Sequence, residues 1–351
     1  MTQLWIGTYP EAGAGTPVGL GEGIWRVTLD DATGALGDAS LVVTLPSPSF
    51  VAASPDGRTL HAALEVEDGE VVTLAVDEDG GLTERSRRAS GGAYPCHVST
   101  DVDGLVAVAN YGSGHLGLLA AEPSDDDAAP AAYGHEGSGP VTDRQEGTHA
   151  HYAILAPGGR HLLVADLGTD ELRRYRVVDG GVEPDGIAAT LPPGTGPRHV
   201  GFATDGRTAY VAGELDVQVH VLTWDPETAT GTAKQTVPAV VGAATGDDTG
   251  RTDPVRHPAC ALPSHLAVDG DELLVTVRGA DVLTRYTIGP DGKLSDGRSH
   301  PLGGHWPRHF AVVGPWVVVA LERAHRLVVL AGSGEVVSTL DLPSPTCVLP
   351  A

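Results

Sequence analysis

Five histidines recur at one place in a short motif: Pro95-Cys96-His97-Val98, His149-Ala150-His151-Tyr152, Pro197-Arg198-His199-Val200, Pro263-Ser264-His265-Leu266 and Pro307-Arg308-His309-Phe310. Imidazole titrates closest to neutral pH and serves as a general acid or base. Arg198 and Arg308, beside two of these histidines, offer fixed cations suited to a carboxylate or a phosphate. A second series ends the apolar strand after each motif: Glu65, Asn110, Asp166, Glu214, Arg278 and Glu322. Converging on one volume, the two series would support proton transfer on a small anion. For any single member a packing role competes: an imidazole bonded to a neighbouring repeat, or a polar side chain facing a turn. His151 stands apart, because its motif carries a second histidine, His149, where the others open with proline, and because it follows a long connection.

The motif itself is a repeat. Pro48-Ser49-Phe50-Val51 and Pro345-Thr346-Cys347-Val348 extend the series to seven openings, about 40 to 65 residues apart, which is the period of a four-stranded propeller blade rather than of a solenoid. Several openings lead into Asp-Gly turns, Ser54-Pro55-Asp56-Gly57 and Thr204-Asp205-Gly206, as antiparallel hairpins require. The spacing predicts an all-β, seven-bladed propeller forming one domain over residues 1–351. The last unit has barely begun at Ala351, whereas the first 36 residues hold strands, Leu4 to Tyr9 and Gly23 to Leu29, without an opening. The terminal strands should therefore share a blade and close the ring. Equivalent residues would then form rings around the axis.

Two polar connections, 122–148 and 235–262, interrupt the rhythm; they read either as surface insertions or as a lid over one mouth of the channel. The run Asp125-Asp126-Asp127 lacks the spacing of a calcium loop and reads as solvated surface.

Composition narrows the functions. With 22 basic and 46 acidic residues the formal charge is −24, a field that repels phosphate backbones and anionic bilayers, so neither nucleic acid nor a membrane is an expected partner. The 47 glycines and 26 prolines suit short strands and tight turns. Cys96, Cys260 and Cys347 match no metal-ligand spacing and read as buried thiols. The start of the chain lacks the pattern of a signal peptide, so a cytoplasmic location is expected. No metal or cofactor is called for, and oligomeric state is left open.

Further motifs carry a family likeness: Gly7-Thr8-Tyr9, Ser90-Gly91-Gly92-Ala93, Val108-Ala109-Asn110-Tyr111, Arg144-Gln145 before His149-Ala150-His151, Asp166-Leu167-Gly168, Gly196-Pro197-Arg198-His199 and Gly213-Glu214-Leu215. Along essentially its whole length the chain resembles the seven-bladed lactonase family, which includes propeller-type 6-phosphogluconolactonases and carboxymuconate-lactonizing enzymes. The resemblance implies that His151, Arg198, Arg278 and Glu214 carry catalysis, with His149, His199, Arg308 and Asn110 expected around the substrate. A small anionic lactone such as 6-phosphogluconolactone is the expected substrate: Glu214 or His151 would activate water while arginines hold the oxyanion and the anionic group. Cycloisomerisation of a muconate by the same residues is the alternative. A non-catalytic propeller presenting an apolar face to a protein partner is a third reading.

Overall fold

The computed structural model describes residues 1–9, 19–122, 129–242 and 261–351. Cys260, the Asp125 to Asp127 run and parts of both long connections lie outside the described residues, as does the question of a lid over them. Seven four-stranded antiparallel sheets follow one another around an axis. Blade 1 combines Thr2–Thr8, Gly23–Leu29 and Leu36–Thr44 with the last strand, Pro345–Pro350. Blades 2 to 7 span Pro48–Ala89, Pro95–Tyr133, Ala150–Thr190, Pro197–Pro238, Leu262–Pro301 and Pro307–Asp341. The first strand of each lies innermost, and each innermost strand touches the next in turn until the seventh meets Pro345–Pro350 and that strand meets Pro48–Ala53.

Closure is made by Ile6 opposite Val348 and Gly7 opposite Cys347, so two edges that would otherwise be open are consumed inside one sheet. The expected turns also hold: Gly57 and Gly206 adopt φ of +68° and +66°, a conformation that costs a residue with a Cβ.

Blade sandwiching explains the composition of the strands. The second strand of blade 4, His161–Asp166, is buried throughout, whereas the fourth strand of blade 2, Leu82–Ala89, is mostly exposed and carries Glu84, Arg85, Arg87 and Arg88. Charge on that outer edge discourages pairing with another chain. Apolar side chains gather into seven clusters, each shared between two adjacent blades, such as Leu163, Leu172, Val211 and Trp224 between blades 4 and 5. Burying a side chain of this size contributes about 1.5–3 kcal/mol. Trp5 and Trp224 belong to these clusters, as their strand patterns suggest. Among the described residues the exposed large apolar side chains are Met1, Leu20, Leu41, Ile187 and Val337, none of them aromatic. No helix of the described residues is long and apolar enough to cross a membrane.

Candidate active site

Each innermost strand opens with a β-bulge, and the bulge decides which side chain faces the axis. Pro48, Pro95, Ala150 and Pro307 pair with Leu64, Asn110, Asp166 and Leu321; the next paired residues are Phe50, His97, Tyr152 and His309. The residue between them is left unpaired. Thus Ser49, Cys96, His151, Arg198, Ser264, Arg308 and Thr346 form one axial ring, and Phe50, His97, Tyr152, His199, His265, His309 and Cys347 form the ring beneath it.

This register corrects the alignment read from sequence. His151 does not share the position of His97, His199, His265 and His309; Tyr152 does, packed between His97 and His199 at centroid distances of 4.1 and 4.3 Å, tilted against the first and stacked on the second. Ala150, not His149, stands in the place of the opening proline. His151 is thereby lifted one layer, level with Arg198 and Arg308.

A similar offset affects the strand ends. The backbone N–H groups of Tyr9, Glu65, Tyr111, Leu167, Glu214 and Glu322 each donate to the carbonyl of the residue just before an opening. The outer ring therefore contains Tyr111 and Leu167 rather than Asn110 and Asp166, and gains Tyr9. Asn110 is held between the connection from blade 2 and its own hairpin, where Oδ1 accepts from Ser90 Oγ at 2.5 Å and Nδ2 donates to the Ser90 and His115 carbonyls. Asp166 accepts from the N–H groups of His149, Gly168 and Thr169.

Among the described residues, four arginines and three glutamates surround the mouth of the channel. Glu214, at the end of the second strand of blade 5, is buried between three of the arginines: Arg144 Nη2 lies 2.6 Å from Oε1, Arg278 Nη2 2.6 Å from Oε2, and Arg198 Nε 2.9 Å from Oε2. The first two are aligned hydrogen bonds; the third is an ion pair without that alignment. Burial alone would raise the Glu214 carboxyl, but Arg278, Arg144 and Arg198 outweigh it and hold the group well below the usual carboxylate range. Arg198 also donates from Nη1 to the Ser264 carbonyl and approaches His199 Nε2 at 3.1 Å. His199, whose Nδ1 is 2.8 Å from His265 Nδ1, thus underpins the guanidinium from the ring below.

His151 stands beside this cluster. Its Nδ1 is 3.8 Å from Cys96 Sγ, and Nε2 makes no hydrogen bond to the described residues. Burial first, and the Arg198 charge second, push its imidazole well below the ordinary value, so it is neutral at neutral pH. The Cys96 thiol is pushed up by burial and stays protonated, which removes it as a nucleophile. His149 donates from Nδ1 to the Tyr111 carbonyl at 2.9 Å and stacks on the Tyr111 ring at 4.6 Å. The Tyr111 hydroxyl in turn accepts from Arg144 at 3.2 Å.

Arg308, from blade 7, donates from Nη2 to the Tyr9 hydroxyl at 2.6 Å and pairs with Glu65 at 3.4 Å and Glu322 at 3.3 Å. Of the residues singled out from sequence, His151, Arg198, Arg278 and Glu214 come together, His149 and His199 support them, Arg308 lies in the adjoining half of the mouth, and Asn110 does not reach it.

Arg144 is the site residue that sequence reasoning left without a role. It is carried on the connection before blade 4, where the fully buried Gln145 anchors it: Nε2 donates to the Leu167 carbonyl at 2.9 Å and to Asp170 Oδ1 at 2.8 Å, and Oε1 accepts from Val141 N–H at 3.1 Å. The adjacency Arg144-Gln145 was visible in the sequence, but nothing local revealed that Glu214 was its partner.

A sequence profile of the family described as "Lactonase, 7-bladed beta-propeller" matches residues 3–350, and the chain belongs to that family. It is 30% identical over 359 residues to the 6-phosphogluconolactonase of Bacillus subtilis (strain 168), covering 98% of this chain and 97% of that protein. Among solved structures it is similar to a periplasmic gluconolactonase of Pseudomonas aeruginosa, with a TM-score of 0.85, 27% identity and coverage of 100% and 99%. A protein from Lactobacillus plantarum superposes with a TM-score of 0.85 at 26% identity, covering both chains fully.

Proposed function

We propose that the protein hydrolyses an anionic sugar lactone, with 6-phosphogluconolactone the leading substrate. The observation that carries this reading is the fan of Arg144, Arg198 and Arg278 around one buried carboxylate, next to a neutral histidine whose Nε2 has no hydrogen-bond partner among the described residues. Three guanidiniums against one carboxylate leave positive charge in a molecule whose formal total is −24, a local site for an anion that the overall field repels.

The residues divide the work by their protonation. Glu214, held ionised far below neutrality, is a weak base and serves to fix the guanidiniums. His151 is the better base: with Nδ1–H toward the Cys96 sulfur, the Nε2 lone pair faces the mouth and takes a proton from water as its oxygen attacks the ring carbonyl. An anionic substrate offsets the Arg198 charge that depresses His151, which strengthens the base once substrate is bound. Arg198 faces the oxyanion that forms, and Arg144 or Arg278 the phosphate. The proton on His151 then leaves with the ring oxygen as the tetrahedral centre collapses to the open acid. A positioned base supplies about 10²- to 10⁴-fold and an oxyanion donor about 10²- to 10³-fold, which suffices for an already activated ester.

The relatives named for 6-phosphogluconolactonase and gluconolactonase activity support hydrolysis over cycloisomerisation. The deciding measurement is hydrolysis of freshly generated 6-phosphogluconolactone, coupled to a dehydrogenase consuming the product and corrected for spontaneous opening. A wild-type rate that falls at least about 100-fold in Glu214→Gln is expected. No rate above background would turn the reading toward muconate substrates or a non-catalytic role.

A further inference from the structure

Among the described residues the mouth of the channel is electrically two-sided. Blades 4 to 6 supply His151, Arg198, Glu214 and Arg278, with Arg144 reaching in, for three cations more than balancing one carboxylate. Blades 7, 1 and 2 supply Glu322, Arg308, Tyr9 and Glu65, where two carboxylates outnumber one guanidinium. The two halves meet at the axis, where His151, Arg198 and Arg308 hold equivalent bulged positions of one ring, and the Arg308 charge lowers Arg198 and His151 further.

We infer that Glu65, Glu322 and the Ser49 hydroxyl form a hydroxyl-recognition half, so that the site takes a lactone with an anionic group at one end and neutral hydroxyls at the other, and rejects polycarboxylates. This rests on the lactonase reading and sharpens its substrate class. Three observations support it.

First, Glu65 and Glu322 are buried to 6% and 4% exposure, yet each meets Arg308 through Oε2 only. Carboxylate oxygens accept several hydrogen bonds, and sugar hydroxyls supply the donors. Second, Ser49, at 3% exposure, occupies the axial ring position that Arg198 and Arg308 hold in their blades, and its Oγ is buried without a hydrogen-bond partner. A buried hydroxyl left unpaired is costly, and a substrate hydroxyl would satisfy it. Third, Tyr9, kept a neutral phenol by burial, accepts from Arg308 Nη2 at 2.6 Å while its ring lies 4.6 Å from the same guanidinium, which fixes the cation that Glu65 and Glu322 share. A second or third carboxylate placed there would meet two like charges in a poorly solvated site.

The test compares two lactones, each bearing one anionic group, one with ring hydroxyls and one without, on the wild type and on Glu65→Gln, Glu322→Gln and Ser49→Ala. The expected result is a larger loss in kcat/KM for the hydroxylated lactone than for the hydroxyl-free one, by about 10- to 100-fold in the glutamate variants and about threefold or more in Ser49→Ala. Equal losses on both lactones, or none on the hydroxylated one, would overturn the inference. Glu65→Asp, which keeps a negative charge near Arg308 while drawing the carboxylate back by one methylene, guards against a folding artefact and should lose selectivity without losing its thermal transition. Calorimetric binding of 6-phosphogluconate against a hydroxyl-free tricarboxylate separates this inference from the hydrolytic reading. Preference for the sugar acid by a protein that opens no lactone would retain the two-sided site and remove hydrolysis. Active hydrolysis with preference for the tricarboxylate would do the reverse.

Discussion

Arg144 Nη2 rests 2.6 Å from Glu214 Oε1 across 70 positions of sequence, tying the connection before blade 4 to the strand end of blade 5. The contact makes one carboxylate the hub of three guanidiniums, and each consequence below follows from how that hub is held.

Replacing Glu214 by glutamine keeps the shape and removes the counter-charge. Arg144, Arg198 and Arg278 are then left mutually repelling in a buried place, at a cost of about 3–5 kcal/mol in stability. Thermal unfolding should shift downward, and added phosphate should recover part of the loss by replacing the missing charge. An unchanged transition without phosphate would show that the carboxylate does not hold the arginines together.

His151→Asn removes the base without disturbing Arg198. Turnover on the lactone should fall by about 10²- to 10⁴-fold while KM stays within about twofold, because the imidazole acts on water rather than on the anion. A rise in KM with unchanged kcat would instead make His151 a binding residue.

Gln145 touches no substrate and works through Arg144. Gln145→Leu should cost about tenfold in kcat/KM by loosening the anchor on Leu167 and Asp170. In an Arg144→Ala background the same change should cost almost nothing, a coupling of about 1–2 kcal/mol in a double-mutant cycle. Additive losses would mean that Gln145 supports the fold alone.

The lower ring sets a pH dependence. Burial pushes His97, His199 and His265 well below the ordinary histidine value and His309 down to about 3, and His151 above them moves the same way. Above the free value of 6.5 these groups are neutral in both states and contribute nothing. Below it the unfolded chain binds protons that the folded chain refuses, so stability falls as pH falls, by about 1.4 kcal/mol per pH unit for each proton. Urea unfolding at about pH 7.5, 6 and 5 should show a decline beginning just under 6.5 and steeper than one group can give. A flat profile over that window would mean that the imidazoles are charged in the folded protein.

The repeat was legible because propeller blades bury the same positions in every copy: seven openings, Asp-Gly turns with a left-handed glycine, and an incomplete unit at each end sufficed for blade number and closure. The chemical types were legible too, since Arg198, Glu214, Arg278 and His151 sit at recurring positions. Register within a blade was not. His149-Ala150-His151-Tyr152 fits the opening motif in either of two frames one residue apart, and only the pairing of Ala150 with Asp166 and Tyr152 with Ala165 selects between them. A β-bulge inserts one unpaired residue, and one residue is enough to move a side chain from one axial ring to the next. The same offset exchanged Asn110 for Tyr111. Arg144 and the two-sided charge of the mouth depend on distances between blades, which local sequence does not encode. Composition and periodicity determined that seven blades close a ring; tertiary structure decided which side chains meet at its axis, because that meeting is set by bulge register and by contacts tens to hundreds of residues apart.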